Sequence, residues 1–127
     1  MSPRFAAALF SAALLATPLL AAEKHAFTPQ AFEAAQAAGK PILVDIHAPW
    51  CPTCKAQQPI LEKLESDGKF GALQVFRVDF DSQKDAVRNF HATTQSTLIV
   101  FKGKNETGRS TGDTNAASIA ALLDKAL

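Results

Sequence analysis

Residues 44–64, VDIHAPWCPTCKAQQPILEKL, decide the fold of this chain. They join the end of an almost continuous apolar run at 41–48 to a segment of helical periodicity that starts at Cys51 and continues to about residue 66. A short apolar run of this type is typical of a strand buried on both faces of a sheet. The sequence therefore predicts a central strand that leads directly into a helix, with both cysteines of the chain, Cys51 and Cys54, at the junction.

The rest of the chain alternates predicted helices and strands around this junction. The other elements are a helix at 28–40, a strand at 72–80, a helix at 82–90, two strands within 97–111, and a last helix capped by Asp113 or Thr114. Buried strands joined by helical crossovers, followed by a hairpin, predict an α/β fold. We expect a central mixed sheet of about four to five strands flanked by four helices.

The first 22 residues differ in composition from the rest. Arg4 is followed by an uncharged run rich in Ala and Leu, which ends in the small residues Ala21 and Ala22. This pattern is typical of a secretory signal peptide, and it predicts cleavage near Ala22 and a single domain at 23–127. The alternative is an uncleaved anchor, because a membrane span needs about 20 apolar residues. We expect an exported, periplasmic protein without stable membrane insertion after cleavage.

The balance of charges bears on two classes of partner, nucleic acids and membrane surfaces. The chain has 13 basic and 12 acidic side chains, and loss of Arg4 with the leader makes the two numbers equal. The remaining charges are dispersed along the sequence. This balance gives no support to nucleic-acid binding or to electrostatic attachment to a membrane.

The cysteine pair has the spacing of a redox centre. Cys51 lies where a strand ends and a helix begins, and the unpaired N–H groups and positive dipole of a helix N-terminus stabilise a thiolate. Cys54 follows one helical turn later on the same face, where a disulfide can close without moving the backbone. The sequence predicts Cys51 as the nucleophile and Cys54 as the thiol that resolves a mixed disulfide.

Two other uses of the pair are weaker. As a structural staple, a disulfide across so small a loop removes little entropy from the unfolded chain. As a zinc site, the pair needs further ligands from His25, His47 or His91, and none of these has the spacing of a second knuckle. We expect no metal in the chain.

The chain after the leader resembles thioredoxin and its exported relatives over nearly its whole length. The positions that match the family pattern in residues 44–64 are Asp45, Ala48, Trp50, Cys51, Cys54, Lys55 and the kinking Pro59. Downstream, Arg77 takes the place of a strand lysine, residues 97–104 resemble the family's strand and turn, and Gly112 matches a glycine beside the active site. The resemblance implies a thioredoxin fold and thiol-disulfide exchange with protein substrates and an upstream redox partner. It implies no cofactor other than the Cys51–Cys54 disulfide.

The resemblance also implies roles for two neighbours of the cysteines. Asp45 is expected to manage the proton of Cys54 through water, and burial in an apolar strand raises the pKa of a carboxyl toward a useful base. The alternative for Asp45 is a structural carboxylate bonded to the backbone or to Arg77. Trp50 is expected to shield the cysteines and to contact the substrate.

The sequence departs from the family at Ser96, where thioredoxins have a cis-proline. A cis bond before any other residue costs about 2.5–4 kcal/mol, so we predict a trans bond and a changed neighbourhood from Gln95 to Thr97. In the family this loop offers backbone groups to the substrate and keeps metals from the sulfurs. We assign Gln95, Ser96 and Gly112 to substrate binding. Ser96 can weaken substrate alignment, place a hydroxyl near Cys51, or allow a metal to bridge two protomers.

The second departure is His47, at a position where thioredoxins often have an aromatic. A protonated His near Cys51 stabilises its thiolate, whereas the alternative is a packed or hydrogen-bonded core group. We assign His47 and Arg77 to tuning the pKa values of the site.

The predicted function is reduction of disulfides in exported proteins. The Pro-Thr dipeptide between the cysteines resembles that of exported reductants used in cytochrome c maturation, although the acidic insertion of that group is not evident. The alternative is a non-enzymatic module of the same fold that binds a metal or a partner protein through its cysteines, and Ser96 favours it.

Overall fold

A computed structural model of the chain describes residue 3, residues 11–15 and residues 20–127. Most of the predicted signal peptide lies outside these described residues. The strands are β1 Glu23–Ala26, β2 Pro41–His47, β3 Gln74–Asp79, β4 Thr97–Lys102 and β5 Asn105–Thr111. The helices are α1 Pro29–Ala37, α2 Pro52–Glu65, α3 Lys84–Asn89 and α4 Ala116–Asp124, and a single 3₁₀ turn spans Gly68–Phe70. None of the described helices has the length and apolar character needed to cross a membrane.

The five strands form one mixed sheet in the order β1-β3-β2-β4-β5. Strands β1, β3 and β2 are parallel, and β4 and β5 run antiparallel to them. This confirms the predicted α/β fold with its mixed sheet and four flanking helices. The predicted helices and strands all occur, with ends shifted by up to three residues.

Two details of the sequence prediction were wrong. Strand β1 was not predicted, because its four residues, EKHA, contain no apolar run and are mostly exposed at the sheet edge. The cap of α4 is Asn115, whose side chain accepts from the N–H of Ser118, rather than Asp113 or Thr114. Asp113 instead accepts from the N–H of Asn115, one step earlier in the same turn.

Each face of the sheet is covered by a separate apolar cluster. One cluster, between the sheet and helices α1 and α3, is rich in aromatic rings and contains Phe27, Phe32, Phe76, Phe90 and Phe101. The other, under α2 and α4, contains Leu43, Leu61, Leu98, Ile119 and Leu123 among others.

The alternation of side chains along β2 decides where Asp45 lies. Ile42, Val44 and Ile46 belong to the aromatic cluster, whereas Leu43 points to the opposite face. Asp45 shares the orientation of Leu43, so its carboxyl lies on the face that α2 covers. Strand β2 thus places the carboxyl of Asp45 beneath helix α2, which carries Cys54 and is capped by Cys51.

Candidate active site

Cys51 is itself the cap of helix α2. Its backbone is extended, with φ −81° and ψ 114°, and its Sγ accepts a hydrogen bond of 3.1 Å from the N–H of Cys54. Pro52 occupies the first turn, where its missing N–H removes no intrahelical bond. The sulfur of Cys51 therefore faces the free N–H groups at the positive end of the helix.

Both cysteines are free thiols, and each residue is 1% exposed. Burial acts to raise the pKa of Cys51, but hydrogen bonds from the thiol and N–H of Cys54, from the Gln95 side chain and from the N–H of Thr53 outweigh it and lower the pKa. Burial and the hydrogen bond with Cys51 raise the pKa of Cys54 to about 11. The proton of the pair therefore stays on Cys54 when Cys51 ionises.

Asp45 is a buried carboxyl with an incomplete set of partners. The residue is 2% exposed, and its Oδ2 lies 3.5 Å from Nη2 of Arg77. Its Oδ1 has no hydrogen-bond partner among the described residues. Burial raises the pKa of Asp45 in spite of the opposing charges of Arg77 and His47. Such a carboxyl can take up and release a proton closer to neutral pH than an exposed one.

Asp45 lies at a polar cavity of about 460 Å³ between α2 and the β1-β3-β2 side of the sheet. Arg77, which also donates to Oε1 of Gln58 over 2.6 Å, lines the same cavity. On its far side Nζ of Lys24 pairs with Oε2 of Glu65 at 2.7 Å. Asp45 on β2 and Arg77 on β3 therefore lie in a polar environment beneath helix α2.

His47 faces this cavity as well. Burial and the charge of Arg77 lower its pKa, against the attraction of Asp45 and Asp79. Its Nδ1 is buried and has no partner among the described residues. The structure thus places His47 with Asp45 and Arg77, and its predicted effect on Cys51 stays a prediction.

Trp50 precedes the cysteines and is 56% exposed. Its Nε1–H donates a hydrogen bond of 2.7 Å to Oδ2 of Asp81, a residue that the sequence analysis did not single out. The bond fixes the orientation of an exposed aromatic ring next to Cys51. The sequence does not indicate this contact, because Asp81 lies 31 positions from Trp50 along the chain.

The Ser96 loop, residues 94–97, lies against the cysteine pair. All peptide bonds of the described residues are trans, and that before Ser96 is among them, as predicted. Ser96 adopts the left-handed region with φ 56°, an uncommon conformation for a residue other than glycine. Its N–H donates to the carbonyl of Ile46 at 2.8 Å, and its carbonyl accepts from the N–H of Gly112 at 3.0 Å. The structure thus brings Gln95 to Cys51 and the backbone of Ser96 to Cys54, and it joins Gly112 to this loop through Ser96.

The site contains one further residue that sequence reasoning missed, Gln57. It is fully buried, and its Nε2 donates to the carbonyls of Ser96 at 3.3 Å and Asp113 at 2.9 Å. A signal for it exists in the sequence, because Gln57 occupies the same helical face as Cys54 and Leu61. A polar side chain that is fully buried on a helix face indicates a specific partner.

A sequence model of the family described as "Thioredoxin" matches residues 23–125. The chain belongs to the thioredoxin family. It is 38% identical over 84 residues to the thioredoxin of Mycobacterium tuberculosis, covering 66% of this chain and 69% of that protein. It is 32% identical over 84 residues to the thioredoxin of Pseudomonas aeruginosa, covering 66% of this chain and 77% of that protein.

Solved thioredoxin-fold structures superpose on the chain. The crystal structure of Trxlp from Edwardsiella tarda matches with a TM-score of 0.78 and 40% identity, over 80% of this chain and 98% of that one. The thioredoxin of Malassezia sympodialis matches with a TM-score of 0.71 at 19% identity, over 87% of this chain and 96% of that one, and this second likeness shows the fold alone.

Thioredoxins are protein-disulfide oxidoreductases that act on protein disulfides and with a reductase partner. A Mycobacterium leprae protein that is 37% identical over 84 residues, covering 66% of this chain and 18% of that protein, is a bifunctional thioredoxin reductase/thioredoxin. The chain is therefore an enzyme of this class, and a non-enzymatic module is not favoured. Within residues 20–127 and the shorter described segments, no group of three or more His, Cys, Asp or Glu side chains is arranged to hold a metal.

Proposed function

We propose that the chain is a periplasmic thiol-disulfide oxidoreductase that reduces disulfides of exported proteins through Cys51 and Cys54. The observation that carries the proposal is the placement of Cys51 Sγ at the N-terminus of α2, where it accepts from the N–H of Cys54. A thiolate held in this way is a ready nucleophile, and the second thiol lies one turn away.

In the proposed reaction the Cys51 thiolate attacks one sulfur of the substrate disulfide. The substrate S–S bond breaks, a mixed disulfide forms, and the departing substrate thiolate takes up a proton. Cys54 then loses its proton and attacks Sγ of Cys51, which forms the Cys51–Cys54 disulfide and releases the second substrate thiol. Two electrons pass from the cysteine pair to the substrate, and a redox partner returns the pair to the dithiol.

The proton of Cys54 is the obstacle in the second step, because its pKa is raised to about 11. Asp45 supports this step in the proposal as the base, acting through water. Its carboxyl is buried on the α2 face of β2, has a raised pKa and retains one free oxygen among the described residues. Trp50, Gln95, Ser96 and Gly112 form the surface that meets the substrate.

A turnover assay tests the exchange reaction. Insulin reduction driven by a small dithiol is expected to require Cys51, so Cys51→Ala abolishes it. Cys54→Ser is expected to accumulate the mixed disulfide, which mass spectrometry detects as an adduct that excess thiol removes. Wild-type turnover that persists in Cys51→Ala contradicts the proposal.

The direction of electron flow is tested by the reduction potential of the pair against glutathione. The thioredoxin relatives support a reductant, for which a potential of about −270 mV is expected. A potential of about −120 mV is that of a strong oxidant and overturns the reducing direction while leaving the exchange chemistry intact.

Export is tested by expressing the full chain in a Gram-negative host. We expect the protein in the periplasmic fraction with an N-terminus near Glu23. The control is Leu14→Arg, which interrupts the apolar run and is expected to retain the uncleaved chain in the cytoplasm. An uncleaved wild-type chain in the membrane fraction favours the anchor instead.

A further inference from the structure

Gln57 makes two hydrogen bonds that cross from the cysteine helix to other segments. Its Nε2 donates to the carbonyl of Ser96 in the Ser96 loop and to the carbonyl of Asp113, which follows Gly112. Both partners are acceptors, so the amide NH₂ is the group that must face them. The side chain therefore links α2, the Ser96 loop and the segment after β5 at one point.

Packing alone does not explain an amide at this position. Gln57 is fully buried on the helix face that also carries Cys54 and Leu61, and its Oε1 has no partner among the described residues. A buried acceptor without a partner costs free energy, and an apolar side chain of the same length fills the same space without that cost. The contribution of Gln57 must lie in what its NH₂ group holds.

The Ser96 loop needs such support. Ser96 has φ 56° and no pyrrolidine ring to fix its backbone, and a non-glycine residue keeps this conformation only where its surroundings enforce it. The bonds that do so are the N–H of Ser96 to Ile46, the N–H of Gly112 to Ser96, and Nε2 of Gln57 to Ser96. Among these, the bond from Gln57 is the one that comes from the cysteine helix.

The loop position matters at Cys51 because the neighbouring residue, Gln95, acts on the thiol. The side chain of Gln95 is among the hydrogen-bonding groups that lower the pKa of Cys51. The hydroxyl of Ser96 donates to the carbonyl of Gln95 over 2.6 Å, so the two residues move together. A shift of the loop away from α2 therefore withdraws Gln95 from Cys51.

We infer that Gln57 is a positioning residue for disulfide exchange, whose side-chain amide holds the Ser96 loop against helix α2 so that Gln95 and the loop backbone face Cys51 and the substrate. In this chain the hydrogen bond from Gln57 supports the loop at the position where other thioredoxins have a proline, whose ring restricts the backbone. The inference rests on the proposed role of Cys51 as nucleophile.

The test is Gln57→Met, which keeps the length of the side chain and removes the donor. We expect the KM for insulin to rise about 3- to 10-fold with kcat changed less than about twofold, from the loss of the hydrogen bonds. We also expect the pKa of Cys51 to rise, measured by the pH dependence of alkylation. Gln57→Glu keeps the shape and loses the NH₂ group, and it is expected to behave like Gln57→Met.

The matched control is Gln36→Met, the same chemical change on α1, on the opposite face of the sheet, and no change is expected in KM or in the pKa of Cys51. If wild type turns over and Gln57→Met matches it in both quantities, the inference is wrong while the proposed function stands. If the wild type itself shows no Cys51-dependent turnover, the proposed function fails.

A measurement on the wild type keeps the inference testable should Gln57→Met not fold. The side-chain NH₂ protons of Gln57 are expected to exchange with solvent far more slowly than those of Gln36, measured by nuclear magnetic resonance. Equal exchange rates overturn the inference, because a buried side-chain amide that is bonded to two carbonyls is protected.

Discussion

At the scale of single residues, the hydrogen bond between the two thiols shifts their pKa values in opposite directions. Cys51 accepts hydrogen bonds at the N-terminus of α2, and Cys54 is a donor to it. The pKa of Cys51 is therefore lowered and that of Cys54 is raised to about 11. In the proposed reaction, the same pair of hydrogen-bonded sulfurs supplies the nucleophile and keeps the resolving thiol protonated until the mixed disulfide forms.

We predict two separate titrations of the reduced protein, followed by the ultraviolet absorbance of the thiolates. The first step belongs to Cys51, whose pKa is lowered by the hydrogen bonds that its sulfur accepts, and the second belongs to Cys54 and lies at about 11. Cys54→Ala is expected to remove the second step and to raise the first, because Cys51 loses the donating thiol. A single step with both cysteines near the ordinary value contradicts the described geometry.

Asp45→Asn is predicted to stabilise the protein at neutral pH by on the order of 1–3 kcal/mol, because it removes a buried and incompletely paired charge. Since the pKa of Asp45 is raised on folding, its favourable contribution is complete at low pH and is lost as the pH rises through the folded pKa. The free energy of unfolding of Asp45→Asn, measured with urea, should therefore exceed that of the wild type by an amount that grows from pH 4 to pH 7.

The same variant separates stability from function. Asp45→Asn cannot accept the proton of Cys54, so we expect slower release of the mixed disulfide despite the higher stability. Leu61→Ala, a buried change on α2 away from the thiols, is the control that lowers stability without acting on that proton. If the stability of Asp45→Asn relative to wild type falls between pH 4 and pH 7, Asp45 does not have a raised pKa.

Sequence reasoning placed Cys51 correctly at the start of helix α2 but missed contacts between distant segments. The position of Cys51 at a strand-to-helix junction follows from local patterns, because helix caps and apolar runs span only a few residues. The bonds from Trp50 to Asp81 and from Gln57 to Ser96 join positions 31 and 39 apart. Nothing in local composition specifies such a pair, so the structure was needed to identify the partners.

At the scale of elements, strand β1 and helix α2 are joined by a charge pair that lines the polar cavity. Lys24 on β1 is half-exposed, whereas the side chain of Glu65 at the end of α2 is 7% exposed. Burial raises the pKa of Glu65, and the hydrogen bond and charge of Lys24 lower it in part. The edge strand thus supplies the cation that makes a buried carboxylate tolerable.

Lys24→Met is predicted to destabilise the protein by about 1 kcal/mol at pH 7 and by less at pH 4. Once Lys24 is removed, the pKa of Glu65 rises further, so the loss appears as the pH rises through that folded pKa and Glu65 ionises without a partner. Urea unfolding at the two pH values measures it. Lys63→Met, an exposed change on the same helix, is the control, and an equal effect of both variants contradicts the pairing.

Strand β1 also shows why one element escaped prediction. Its residues, EKHA, are mostly polar and exposed, and they pair on one side only, with β3. An edge strand of this kind is defined by its partner strand and not by burial, so its sequence carries no apolar signal. The central strand β2, buried on both faces, carried that signal clearly and was predicted to within one residue.

At the scale of the whole molecule, the sheet separates two apolar clusters that must form together. Leu98 and Ile99 are neighbours on β4, both fully buried, and they belong to opposite clusters. Because each cluster uses one face of the same strands, neither can be lost without exposing the sheet. The fold should therefore unfold as one cooperative unit.

We predict that Leu98→Ala and Ile99→Ala each cost about 2–5 kcal/mol and leave a single unfolding transition. The transition is followed by far-ultraviolet circular dichroism and by the fluorescence of Trp50, the one tryptophan of the chain. Lys102→Ala, at the exposed end of β4, is expected to change stability by no more than about 0.5 kcal/mol. Transitions that differ between the two probes contradict unfolding as one cooperative unit.

The left-handed backbone of Ser96 affects whether its loop can be converted into the proline-containing loop of other thioredoxins by a single substitution. Proline fixes φ near about −65° and has no N–H, whereas Ser96 has φ 56° and donates its N–H to Ile46. A lone Ser96→Pro change therefore removes the existing loop without building the proline one, and it leaves the NH₂ of Gln57 facing a displaced carbonyl. A serine loop of this kind is therefore coupled to the helix that carries the cysteines, because Gln57 on α2 bonds its carbonyl.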